Sequence, residues 1–121
     1  MRIRNEQMAA FRQVRFDDFS KRLAGHLRKY HPDQLASFSD EEIHTYIREC
    51  VERASRLYSI QTEQAVACYA QLPFILGDQF EVAPDLAAIP AMLGRQSFEQ
   101  NTRAKMALAL AYQLKQASAK K

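Results

Sequence analysis

The sequence predicts an all-α protein, and three observations carry that prediction. Apolar residues recur every three or four positions along most of the 121-residue chain, no segment alternates long enough to pair as a strand, and capping residues stand ahead of the periodic runs. The expected architecture is a compact bundle of about five helices with a long first helix. An irregular segment bounded by proline and glycine, near residues 73–85, interrupts it. The length fits a single helical domain, residues 1–116, followed by a basic tail, 117–121, expected to be disordered.

The first helix is expected from Asn5 to Tyr30, with Met8, Phe16, Phe19, Leu23, Leu27 and Tyr30 along one side. His31-Pro32 ends it, because the residue before proline is pushed out of the helical region. Arg15, Arg22 and Lys29 form a basic edge beside the stripe. Phe11 projects with those cations rather than with the stripe, so the first turns depart from a core pattern and suit either a frayed start or a partner surface. Ser39 and Glu42 make a capping box for a second helix, whose stripe is Ile43, Tyr46, Ile47, Cys50, Val51, Ala54, Leu57 and Tyr58.

Thr62 caps a third helix through Val66, Tyr69 and Leu72, which Pro73 kinks or ends. A short fourth helix is expected from Leu86 to Leu93, capped by Asp85, kinked at Pro90 and closed by Gly94. The last begins at Ser97, with Gln100 as its capping-box partner, and presents Met106, Leu110 and Leu114.

Composition and spacing narrow the chemistry. A hydrophobic share of 47% with 26% charged residues suits a folded domain. No apolar run approaches the roughly 20 residues that span a bilayer. The opening residues lack the apolar core of a cleaved export signal, and a cytoplasmic location is expected. Cys50 and Cys68 fall in helical patterns and read as buried, reduced thiols. His26, His31 and His44 have no metal-ligand spacing, no serine sits in a sharp elbow, and three glycines make no phosphate-binding loop. No catalytic residue, metal or cofactor is expected, and the chain reads as non-enzymatic.

Charge is uneven: +5 over residues 1–30, −7 over 31–94 and +5 over 95–121. Basic ends around an acidic middle can pair within one fold, so a pI near 9.0 says little about nucleic acid.

The stretch from Leu72 to Leu86 breaks the helical rhythm. Phe74, Ile75 and Leu76 are expected to finish the third helix in the core, with Gly77 releasing the chain. Phe80 and Val82 then fall on a surface loop among Asp78, Glu81 and Asp85, an apolar centre with a charged rim of the kind proteins bind. The alternative is that Phe80 staples the loop to the domain. The candidate partner-binding residues are Asp78, Phe80, Glu81, Val82 and Asp85, with Phe11, Arg15 and Arg22 of the first helix.

Met1-Arg2-Ile3-Arg4, Gln7-Met8, Ser39-Asp40-Glu41-Glu42, Tyr58-Ser59-Ile60 with Glu63, and Gly77-Asp78-Gln79-Phe80-Glu81 together carry a resemblance. Over residues 1–93 the chain resembles small uncharacterised proteins encoded beside type VI secretion effector genes in Gram-negative bacteria. Ser59 stands where that group usually has glycine, and Ala65 where an acid is common. The resemblance implies an adaptor, chaperone-like accessory or immunity partner, bound to a secreted effector or a secretion-spike component. Neither a membrane nor a nucleic acid is the expected partner. The competing reading is a nucleic-acid-binding regulator that uses the basic first helix.

Overall fold

A computed structural model describes the backbone of residues 2–119 and the side chains of residues 16–117. Among the described residues all regular structure is helical. The elements are α1 (Arg2–Tyr30), α2 (Pro32–Leu35), α3 (Asp40–Tyr58), α4 (Glu63–Leu76), a 3₁₀ turn (Pro84–Leu86), α5 (Ala88–Leu93) and α6 (Gln100–Ala119). The chain divides into two compact units, Met1–Arg48 and Glu49–Lys121, with the division inside α3. The side chains of Met8, Phe11 and Arg15 lie outside the described residues, as do Lys120 and Lys121.

In the first unit, α1 stops at Tyr30 because His31, at φ −134°, leaves the helical region ahead of Pro32. Pro32 then opens the single turn α2, where its missing N–H costs nothing. Phe19, Leu23 and Leu27 are buried as the stripe requires. Tyr30 is not: it is 56% exposed, its ring against His26 at 4.5 Å and beneath the Lys29 ammonium. At the helix end it packs on α1's own surface. His31, expected at the surface or partly packed, is buried at the α1–α2 junction.

The capping box of α3 is formed. The Ser39 hydroxyl accepts from the Glu42 N–H at 3.1 Å, and the Glu42 carboxylate accepts from the Ser39 N–H at 3.0 Å. Ile43, Ile47, Cys50, Ala54 and Tyr58 form the buried stripe, and Val51 is half-buried. Leu57 departs from the expectation at 49% exposure, because at this end the fold covers the Tyr58 side of the helix instead. The helix closes in an αL motif: Ser59, at φ 57°, donates its N–H to the Ser55 carbonyl at 3.1 Å, and the Ile60 N–H reaches the Ala54 carbonyl at 3.0 Å.

In the second unit α4 is the inner helix, buried on most sides through Ala65, Val66, Cys68, Tyr69, Leu72 and Ile75. Thr62 caps it by accepting from the Ala65 N–H at 3.3 Å. Pro73 does not end it: the helix continues to Leu76 before Gly77. Only Ile75 of the three residues after Pro73 is buried, with Phe74 and Leu76 half-buried.

Three expected details of the remaining helices are corrected. Asp85 lies inside the 3₁₀ turn and caps nothing; Ala87 holds the N-cap of α5 without a side-chain bond. Pro90 sits in the first turn of α5, where it costs no helical hydrogen bond. The last helix starts at Gln100 rather than Ser97, with the Glu99 carboxylate accepting from the Asn101 N–H.

Gln100 is engaged elsewhere, accepting from the backbone N–H groups of Gln61 and Thr62 at 2.5 and 3.0 Å. The buried face of α6, which packs on α4 and α5, is Arg103, Ala104, Ala107 and Ala111. Met106 is 41% exposed, and Leu110 and Leu114 are only half-buried. The alanines share the same periodicity, and their small side chains allow α6 to approach α4 closely.

Candidate protein-binding loop

The segment after α4 is a series of tight turns. Gly77 adopts φ 95°, which a side chain would strain, and its N–H bonds the Pro73 carbonyl at 2.8 Å. The Phe80 N–H then reaches Gly77, and those of Val82 and Ala83 both reach Gln79. Phe80 points inward and is 2% exposed, edge-on to Tyr69 with ring centres 6.3 Å apart. Phe80 is therefore the staple of this loop. Its placement on the surface is corrected, because Tyr69 offers it an aromatic wall.

Glu81 is corrected in the same way. Its side chain is only 13% exposed and accepts from three donors: the Arg53 guanidinium, the Tyr58 hydroxyl at 2.6 Å and the Tyr69 hydroxyl at 3.2 Å. A carboxylate can leave water only when its lone pairs are taken up this fully. Burial, and next the hydrogen bond to Glu81, push the Tyr58 phenol well above its usual range. Burial and then the Glu81 charge do the same to Tyr69. Both hydroxyls are held as neutral donors.

Val82 and the two aspartates remain outside. Val82 is 73% exposed, and Asp78 and Asp85 are exposed without an ion pair among the described residues. Arg22 belongs to the other unit, where it pairs with Asp18 at 3.0 Å on an open surface, one turn away on the same helix. Such a pair contributes about 0.5 kcal/mol or less. Phe11 and Arg15 lie outside the described side chains.

Sequence reasoning missed Arg53, Tyr58 and Tyr69 as the surroundings of Glu81. One signal was present: a carboxylate between Phe80 and Val82 in an apolar stretch needs donors, and two stripe tyrosines need acceptors. It also missed a contact between Ser20, 1% exposed, and His44, whose Nδ1 is 2.8 Å from the serine Oγ. Their separation of 24 residues carries no signal.

Asp17 lies 3.9 Å from His44 Nε2, so the three residues have the composition of a hydrolytic triad. The geometry opposes that chemistry. Arg48, which can only donate, sits 3.4 Å from Nε2, and the Asp17 carboxylate, which can only accept, faces the same nitrogen, so no single role is imposed on the ring. The Ser20 hydroxyl is buried, which keeps a substrate carbonyl from reaching it. Burial also raises the Cys68 thiol, opposing thiolate formation.

Among the described residues no three His, Cys, Asp or Glu side chains gather to hold a metal ion. Nor is any described helix long and apolar enough to cross a membrane. No protein-family model, curated protein or solved structure matches this chain.

Proposed function

We propose that this chain is a non-enzymatic protein-binding module whose contact surface is the loop after α4. The observation that carries the proposal is the contrast between neighbours. Phe80 and Glu81 are locked inside, while Val82 is presented at 73% exposure with Asp78 and Asp85 free on the same loop. An apolar side chain held outward by a fixed loop has already met much of the ordering cost of association. Nothing in the fold requires Val82 to be apolar, and a protein partner would.

The partner class follows from the sequence resemblance: a secreted type VI effector or a spike component, with this chain as its accessory or immunity protein in the bacterial cytoplasm. The test is co-purification with the products of the neighbouring genes, comparing the native chain with Val82→Asp. The variant is expected to melt within about two degrees of the native chain, as surface changes do. Its affinity should fall by about 2 kcal/mol or more. Unchanged binding by Val82→Asp would remove this loop from the interface. Failure of every neighbouring product to bind the native chain would remove the secretion reading.

A further inference from the structure

A second feature lies in the Met1–Arg48 unit, apart from the loop. Between α1 and α3 is a cleft of about 510 Å³, within the size range of small-ligand sites. Its α1 wall carries Lys21, Ala24 and Gly25, and its α3 wall carries Asp40, Glu41 and His44. Side chains span it at two places: Ser20 to His44 at 2.8 Å, and Arg28 to Asp40 at 2.8 Å. Arg28 also donates to the Phe38 carbonyl, so that cation and Asp40 are already engaged. Lys21 and Glu41 are not. They line the same cleft with opposite charges, both are exposed, and neither makes an ion pair among the described residues.

Gly25 is the second observation. It stands inside α1, and after proline glycine is the poorest residue for a helix interior. Its backbone is not left-handed, and a Cβ built there meets no atom within 4 Å. Neither conformation nor packing within the fold requires glycine. What the missing side chain provides is room in the cleft.

We propose that this cleft binds a small zwitterion of amino-acid or short-peptide size, its anionic group on Lys21 and its cationic group on Glu41. Gly25 leaves space for the ligand's body, and the Ser20–His44 contact holds the back wall. The α3 N-terminus plays no part, since Ser39 and Glu42 already cap it. The proposal is independent of the loop and of any protein partner.

Triglycine is the probe, titrated into the full chain while backbone amide resonances are followed. Saturable shifts confined to residues 18–28 and 39–46 are expected. N-acetyltriglycine lacks the cation and triglycinamide lacks the anion, so each should bind about tenfold more weakly, the loss of one charge-assisted contact. Lys21→Gln and Glu41→Gln should each have a comparable effect. Gly25→Leu should abolish the shifts while the melting temperature holds or rises. Gly25→Ala, which adds only a methyl group, should raise it by a few degrees and weaken binding less. Absence of saturable shifts up to about 50 mM, far above millimolar affinity, overturns the proposal. So do equal shifts from the blocked peptides, or full binding by a folded Gly25→Leu chain.

Discussion

Arg103 donates through Nη1 to the backbone carbonyl of Tyr58 at 2.7 Å, across 45 residues of sequence. The same nitrogen donates to the Leu93 carbonyl at 2.7 Å, and Nε donates to that of Phe98 at 3.1 Å. Tyr58 and Leu93 are the last residues of α3 and α5. The guanidinium is therefore buried at two helix C-termini, whose carbonyls lack helical partners and carry partial negative charge. A cation 4% exposed is accommodated by carbonyl dipoles, with no carboxylate among its hydrogen-bond partners in the described residues.

Replacing Arg103 with methionine preserves much of the volume and leaves those carbonyls without a donor. We expect a loss of at least about 3 kcal/mol in urea unfolding, from several orphaned acceptors. Arg103→Lys, with a point charge in place of a planar fork, should lose about half as much. A cost below about 1 kcal/mol for methionine would mean that the carbonyls find other donors.

The clamp on Glu81 makes a pH prediction. Tyr58 and Tyr69 both have phenols raised in the fold, so each ionises more readily once the chain unfolds. Their contribution to stability is complete below the unfolded tyrosine value of about 10 and is lost as pH rises through the folded one. Above pH 10, stability should fall by about 1.4 kcal/mol per pH unit for each buried phenol. Tyr58→Phe should reduce the slope by one proton's worth. An alkaline slope unaffected by that substitution would place Tyr58's hydroxyl in water.

Phe80 separates architecture from surface. Its truncation to alanine should cost about 3 to 5 kcal/mol and lower the melting temperature by many degrees, since the ring is fully enclosed. Ile47→Ala, at a position with no exposed surface, should cost about 2 to 5 kcal/mol. A melting temperature unchanged by Phe80→Ala would return the ring to the surface.

Ser59 is the one non-glycine residue with positive φ among the described residues. The left-handed region costs an ordinary residue about 1 to 2 kcal/mol, part of which glycine gives back as unfolded-chain entropy. Ser59→Gly should therefore stabilise the chain by about 0.5 to 1 kcal/mol. A destabilised variant would show that the serine hydroxyl contributes more than the backbone strain removes.

What the sequence determined by itself is the set of local decisions. Ser39 with Glu42, Thr62 with the Ala65 N–H, His31 before Pro32, and Gly77 after Leu76 each act within about four residues, so their outcomes are readable from spacing. The stripe from Ile43 to Tyr58 is equally legible except at Leu57, because one face of one helix holds most of its apolar area.

Tertiary structure decided the choices between nearly equal alternatives. On α6 the Met106–Leu114 row and the Ala104–Ala111 row share one period. Close approach to α4 selected the alanines, which no count of apolar area favours. Phe80 turned inward because Tyr69 offered a wall, and Glu81 could follow because Arg53, Tyr58 and Tyr69 converge on it from as far as 28 residues away. Arg103 was one cation among 17 until two helix ends met at its guanidinium. Burial of a polar group depends on partners distant in sequence, and only the folded chain brings those partners within hydrogen-bonding distance.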